Sequence, residues 1–575
     1  MRMKSWLRPW MASLLFTTAF FALYLFVLRP GYHVDDDITM ISLASGYLGG
    51  KPVPFLIFSN VILGFLLTFL YKLPTNLNWE ILLFVVVNFF SVWSLIYFVL
   101  SFPLAPSFKA LGVLVVLISD SYFLISITFT TIAAFAAITG FCSMLAAAHL
   151  DFPAGRRFYL FGGVLIVVSG LIRIESVVLV SLSIIMAVIF MRRLFNARSL
   201  IIAFTIAGLI VLGCYSFDKI YVQASPEWHT FYTYNDTRSL IQDTPRIHQE
   251  KFQSVAAQIG WSPVDYRMFI NWFISDEQTF SETNLQYLVN HIPGRAGNLI
   301  GAVLSYLYSQ FIPGNETLVS YPYLLMIISA FSSLTIYSSL QKARAPLLLI
   351  LLSFLILLVY LIWTIKVPPR VWYSFLATLV IFGFFAIVWS KTETVSSAPQ
   401  NVIFTRLGSL IVTGLILAAL ILTITQTVDI SKTNMEKQSD YQQVLSNLDA
   451  LQAQGKIEQN ALIIIPAMGI PLEWAHPITL DFPKIQVLEL GWLAFSPPYR
   501  DVLLQYDSYP LLTSLYKKDN VYLMTRTNLL AGIVQFIQIH TGSILQANPI
   551  FTINYPGLDT GAYTNTVLYK LRQVK

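Results

Sequence analysis

Three consecutive carboxylates, Asp35, Asp36 and Asp37, stand in the stretch GYHVDDDITMISLASGYLGGK (31–51), and nearly everything on either side of them is apolar. Ionisable groups are costly near hydrocarbon, so they mark functional positions by default. A carboxylate can take a proton from a hydroxyl nucleophile as general base. Further along the chain come Asp120 in Ser119-Asp120-Ser121, Arg173 and Glu175 in LIRIE, Arg238 and Asp243 in YNDTRSLIQDTP, and Lys366 and Arg370 in IKVPPRVWYS. Arginine holds a phosphate by paired hydrogen bonds and neutralises charge as a phosphate leaves.

Each of these residues also has a plainer reading. Loop ends collect Asp. Asp120 sits in good helix-cap chemistry. Arg173 and Glu175 can pair at a turn, and Arg238 and Asp243 can belong to a charged surface loop. Arg370, beside Trp372 and Tyr373, can be a snorkelling anchor in an aromatic belt. His33 reads as an interfacial loop residue. Asp-rich loops also bind Mg²⁺ or Mn²⁺ through oxygen ligands. No second ligand set is visible, so the pattern requires no cofactor and leaves those two cations open.

The elements that must position these residues follow from composition. Of 575 residues, 56% are hydrophobic and 11% charged, with a mean hydropathy of +0.66. A soluble domain carries about 25% charge, so the chain reads as a polytopic membrane protein. The net charge of +6 is spread thinly over short loops. That distribution orients a membrane protein and is no signal for nucleic acid. Cys142 and Cys214 lie in apolar segments and read as small buried hydrophobes. The start, MRMKSWLRPW before an apolar run without a small-residue cleavage site, reads as an uncleaved signal anchor with a cytoplasmic N-terminus.

A span needs about 20 apolar residues. Hydropathy places eleven, near 9–28, 80–100, 109–126, 131–148, 158–172, 176–191, 199–217, 320–340, 345–365, 371–390 and 407–427. Residues 52–73 read as juxtamembrane or re-entrant helices. Counting them as a span would put two basic loops outside, against the charge rule. The apolar run 158–191 is too long for one span, and a tight hairpin with Arg173-Ile174-Glu175 at its tip resolves it. The transmembrane domain covers 1–427, with outer loops at 29–79 and 218–319. Residues 428–575 read as an extracytoplasmic α/β domain: a polar helix at 436–454, then the apolar runs ALIII, IQVLEL and NVYLM alternating with a helix near 528–541. The fold class is mainly α, a helical membrane bundle with a small C-terminal α/β domain.

In this topology Asp35–Asp37, Asp120, Arg173, Glu175, Arg238 and Arg370 all fall on the outer side. A signal-anchor first span, the acidic first outer loop HVDDDITM, juxtamembrane helices, paired short spans and a soluble domain after the last span resemble the integral-membrane glycosyltransferases of the GT-C class. LIRIE and VPPRVWY extend the resemblance. YNDTRSLIQDTP with SPVDYRMFINWFISD is similar to a pattern in uncharacterised bacterial members. The resemblance implies a polyprenyl-phosphate sugar as donor, an inverting displacement, a catalytic Asp at Asp36 or Asp37, and a phosphate-contacting Arg at Arg370 or Arg173. Asp35, Asp120, Glu175 and Arg238 are the further candidates for substrate contact. The Trp-Trp-Asp motif of oligosaccharyltransferases is absent, so transfer to Asn is not implied.

The resulting expectation is a glycosyltransferase of the cell membrane that uses a polyprenyl-phosphate-linked sugar and a glycan, lipid or protein acceptor, among membrane lipids and without nucleic acid. Two rivals differ in placement. A lipid-linked glycan flippase would carry essential charges deep in a central cavity. An O-antigen-type polymerase or ligase would rely on arginines in one large outer loop and lack the acidic first loop.

Overall fold

The computed structural model describes residues 8–574 apart from 75, 150–156, 244–248, 293–298, 311–318, 337–342, 365–366, 392–401, 467–469 and 554–565. Lys366 lies outside the described residues. The chain folds as a helical membrane bundle with a small α/β unit at its C-terminal end.

Nine described helices are long and apolar enough to cross a membrane: Pro9–Val27, Trp79–Ser101, Pro106–Ile125, Phe129–Ala148, Arg157–Phe190, Ala197–Gln223, Arg344–Thr364, Pro369–Trp389 and Gly408–Ala453. Local chemistry sets their starts. Asn78 accepts from the Ile81 N–H and Asn196 from the Ser199 N–H, while Pro106 opens its helix where no N–H is needed.

Arg157–Phe190 is two antiparallel crossings. Arg173 leaves helical geometry at φ −160° and ψ 105°. In the first arm Ser169 bonds the Ala133 carbonyl, and Gly140 packs on Gly162 and Ile166. In the second arm Ser176 bonds the Thr130 carbonyl. Past its end, the Asn196 N–H reaches the Ala148 carbonyl and His149 bridges to Phe195. Both arms therefore run back along Phe129–Ala148, with Arg173 at the tip, as the expected hairpin requires. The shorter helix Ser320–Ile336 packs within the bundle, where the buried Tyr323 donates to the Ser119 carbonyl. Counting the hairpin's two arms separately and adding this 17-residue helix gives eleven bundle helices among the described residues, nine of the unsplit helices being long and apolar enough to cross, where the sequence read eleven spans.

The segment 52–73 is not a crossing. Its helix, Val61–Leu70, has 10 residues, about 15 Å at 1.5 Å per residue. Asn60 and Ser59 fasten it to the hairpin tip through the Leu171 and Ile172 carbonyls. A Cβ on Gly64 would stand 1.8 Å from the Pro54 carbonyl oxygen, so only glycine permits this close return.

The two ends of the bundle differ in charge. Lys109, Arg157, Arg192, Arg193, Arg198 and Arg344 lie at helix starts and turns of one end, where Ala343, Leu347 and Ile387 pack with Phe108 and Phe331. The acidic stretch, the hairpin tip and the start of Pro369–Lys391 lie at the other.

The last crossing does not stop at the membrane boundary. Val402–Ala453 is one helix of 52 residues, so the polar helix expected after 427 continues the crossing itself. Beyond it a five-stranded sheet forms in the order β4-β3-β5-β7-β6, from Leu462–Pro466 (β3), Gln486–Leu490 (β4), Val521–Arg526 (β5), Leu545–Ile553 (β6) and Thr566–Gln573 (β7). β3 lies parallel to β4 and β5, with Ile464 opposite both Leu488 and Leu523. Its wholly buried run LIIIP is what a central strand covered on both faces requires. β7 is antiparallel to β5 and β6. A short pair at the acidic end, Gly31–Tyr32 (β1) with Ser126–Ile127 (β2), completes the strands.

Candidate active site

β1 and β2 bring the acidic stretch to its position. Their parallel pairing ties the first loop to the turn between two crossings, and the His33 N–H extends it to the Ile127 carbonyl. The long helix presses from the other side. Asn434 Nδ2 donates to the Arg29 carbonyl at 2.9 Å, and its side chain would meet a Cβ on Gly31 at 2.8 Å. Held there, Asp35, Asp36 and Asp37 form the first turn of the helix Asp35–Ser45. Carboxylates at a helix N-terminus complement its dipole.

The three aspartates face three different environments. Asp36 accepts a hydrogen bond from Arg370 Nη2 at 2.9 Å, and both side chains keep some exposure (14% and 17%). Asp37 is fully buried, and its Oδ1 accepts from the Phe129 N–H at 2.8 Å. Burial pushes its carboxyl up to about 7 against the lowering effect of that N–H. Asp35 opens onto a cavity. It keeps more solvent access than its two neighbours, and desolvation, then the Asp36 and Glu473 charges, lift its carboxyl to about 7.

Two arginines share one aromatic ring. Arg173 lies 4.8 Å and Arg370 5.8 Å from the Phe129 centroid. Arg173 also donates to Thr130 Oγ1 at 2.8 Å and stands 3.7 Å from the exposed Glu175. Arg370 keeps a buried Nε–H with no hydrogen-bond partner. Two cations and a spare donor beside a carboxylate make a place where an anion can replace Asp36 on Arg370.

The cavity measures about 330 Å³, at the small end for a ligand site. It opens between the first loop, the long helix and the C-terminal unit, and its titratable lining is Tyr32, His33, Asp35, Lys437, Glu473 and Glu489. His33 is lowered to about 4 by burial and by Arg370 and Lys437, so it is neutral at pH 7. Its Nδ1 faces the Tyr122 hydroxyl at 3.1 Å. Burial, then Asp35, Glu473 and Asp36, push the Glu489 carboxyl well up.

Asp120 and Arg238 make their contacts elsewhere, although the Asp36 charge still reaches Arg238. Asp120 is fully buried inside the bundle and accepts from Asn88 Nδ2 at 2.8 Å; it lies within the helix Pro106–Ile125 and is not a cap. Arg238 is buried on the helix Pro226–Gln242. It gives Nε and Nη2 to Asn235 Oδ1 and Nη1 to Gln242, stands 3.7 Å from Asp243, and lies 4.9 Å over Trp272. No group of three or more His, Cys, Asp or Glu among the described residues is arranged to hold a metal ion.

Glu473, Glu489, Lys437 and Phe129 were missed from sequence. Glu489 did carry a signal: it is the charged residue in the mostly apolar run IQVLEL. Glu80 is also unusual. It is fully buried beside Tyr71 with no hydrogen-bond partner on either carboxylate oxygen.

No family model matches the sequence, and no curated protein matches it closely. Among solved structures the chain is similar to two crystal structures of ArnT from Cupriavidus metallidurans, each over 97% of both chains. One, bound to undecaprenyl phosphate, is 10% identical with a TM-score of 0.49. The other, in the apo state, is 12% identical with a TM-score of 0.42.

Proposed function

We propose that this membrane protein is a glycosyltransferase that moves a sugar from a polyprenyl-phosphate donor to an acceptor hydroxyl at the outer face of the cell membrane. The observation that carries the reading is the Asp36–Arg370 pair: an acid bonded to an arginine with a donor to spare, beside a second arginine and at the edge of a cavity. Basic residues at the opposite end support that end as cytoplasmic and, with it, an outer position for the pair, the cavity and the C-terminal unit.

The donor's phosphate takes Arg370 away from Asp36, with Arg173 adding positive charge. Asp36, no longer paired, accepts the proton of the acceptor hydroxyl. The acceptor oxygen bonds to the anomeric carbon as the carbon–oxygen bond to phosphate breaks. The electron pair leaves on the polyprenyl phosphate, whose new charge Arg370 meets. Attack opposite the leaving group inverts the anomeric centre. Asp36 takes the base role because the Asp37 carboxyl is enclosed and tied to Phe129. The test is turnover of radiolabelled polyprenyl-phosphate sugars by reconstituted protein, comparing wild type with Asp36→Asn, Asp37→Asn and Arg370→Ala. Equal donor consumption by all four would remove the pair from the mechanism.

A further inference from the structure

The strands that carry Asp36 toward Arg370 pair over two residues each, Gly31 with Ser126 and Tyr32 with Ile127. So short a pair is marginal by itself. The buried Asn434 of the long helix adds what the pair lacks. Its Nδ2 donates to the Arg29 carbonyl at 2.9 Å and to the Ile125 carbonyl at 3.3 Å, the chain leading into β1 and into β2. A carboxamide nitrogen has two hydrogens, one for each carbonyl. The carboxamide also rests against Gly31: a Cβ there would stand 2.8–2.9 Å from its Cγ, Oδ1 and Nδ2, and these are the three atoms nearest to it. On the same face of the helix Ser431 Oγ accepts from the Arg29 N–H at 2.9 Å, and Gln438 Nε2 donates to the Pro30 carbonyl at 2.8 Å. Those two bonds hold the β1 side, whereas Asn434 ties β1 to β2.

Resting on the transfer reading above, we infer that Asn434 is a positioning residue: by clasping the entries of both strands it sets where Asp36 stands relative to Arg370. Asn434 borders the cavity, but main chain takes both of its N–H donors, so its part is to hold and not to bind. Asp36 lies four residues past the end of β1, in the first turn of its helix. Two residues past β2, the Phe129 N–H holds the neighbouring Asp37. Arg370 begins the crossing Pro369–Lys391 and Arg173 tips the hairpin, so neither cation sits on a clasped strand. Loss of the clasp therefore moves the acid and leaves the phosphate-binding cations in place. A displacement of about 1 Å at a reacting group can cost about 10²-fold in rate.

The test is steady-state turnover of a polyprenyl-phosphate sugar by the reconstituted full-length protein, with hydrogen exchange and melting curves read on the same variants. Asn434→Ala should lower kcat by about 10–100-fold while KM for the donor stays within about twofold. Gly31→Ala should do the same, because its methyl displaces the carboxamide. The two together should be no slower than Asn434→Ala alone, since the vacated space takes the methyl. Asp36→Asn with Asn434→Ala should be no slower than Asp36→Asn alone, because both act through one group. Exchange at 31–33 and 126–129 should quicken in both single variants. Where Asn434→Ala melts too low to assay, Gly31→Ala carries the test by the same readouts. A loss wholly in KM, a loss that multiplies with that of Asp36→Asn, or unchanged exchange would overturn the assignment. If wild type consumes no donor, the transferase reading falls and exchange alone decides the clasp. If wild type consumes donor and both single variants keep its kcat, the positioning role falls and the transferase reading stands.

Discussion

Arg370 and Arg238 look alike in sequence, each an arginine near aromatic residues in an otherwise apolar or mixed segment. Their surroundings are opposite. Around Arg238, Nε, Nη1 and Nη2 are all used by Asn235 and Gln242 on its own helix, and Trp272 covers its face. Around Arg370, one bond reaches Asp36 across 334 positions of sequence, and the Nε–H is unused. A guanidinium with its donors filled by neighbours holds structure together. One with a donor in reserve can accept an anion. The difference is between local partners, three and four residues away, and a distant partner that a ligand can displace.

The largest expected effect would break this contrast if absent. Asp36→Asn should lower transfer by about 10²–10⁴-fold, the usual worth of a general base. Arg370→Ala should lower it by about 10²–10³-fold, as for loss of one donor to a developing oxyanion. Arg238→Met should leave turnover per folded molecule near wild type. It should instead cost about 2–3 kcal/mol of stability, from lost charge-assisted hydrogen bonds in a buried place. Thermal unfolding followed by tryptophan fluorescence, run beside the activity assay, separates the two outcomes.

A smaller effect sharpens the division among the aspartates. Asp37→Asn keeps an oxygen for the Phe129 N–H and removes a charge from a buried position. Transfer should change by less than about tenfold. The folded pKa of about 7 lies above the ordinary carboxyl value of 3.8, so the stability this protonated group contributes is complete below 3.8, falls as pH rises from there through about 7, and changes no further above it. Asp37→Asn should not show that loss, which pH-dependent melting will measure.

The smallest effect concerns the region that Arg238 holds. His540 of the helix Thr527–Thr541 meets Asp265 at 2.6 Å and faces Thr279 at 3.3 Å, docking the segment that holds Asp265 and Thr279 onto the C-terminal unit. The Asp265 hydrogen bond raises the His540 pKa above 6.5 against the opposing effect of burial. The stabilisation is therefore complete below pH 6.5 and is lost as pH rises through the raised value. His540→Gln should flatten this dependence and cost about 0.5–1 kcal/mol at acidic pH. Hydrogen exchange at Pro263–Ile270 across pH reads it out.

Much of the fold was legible. Span length, the charge rule and the two charges at Arg173 and Glu175 led to eleven crossings with a hairpin, because those signals are local and the membrane punishes exceptions. The C-terminal strands β3, β4 and β5 were legible as short apolar runs. β6 and β7 were not, since LQANPIFTI mixes polar and apolar residues on a half-exposed strand. For the site, the sequence placed acids and cations on one side without pairing them. That Asp36 takes Arg370 while Asp37 takes a backbone N–H depends on how one helical turn points its side chains, which three identical letters do not distinguish. Glu473 and Glu489 reach Asp35 from more than 430 positions away, beyond any local pattern.

The long helix Val402–Ala453 carries one more implication. At 1.5 Å per residue its 52 residues extend about 78 Å, against a hydrocarbon thickness of about 30 Å. Because it is continuous, Asn434 and Lys437 stand on the same rod as the crossing that anchors them. Asn434 lies seven residues past Thr427, a rise of about 10 Å. The rod works as a gauge: it fixes how far along the axis of the crossing Asn434 holds the first loop.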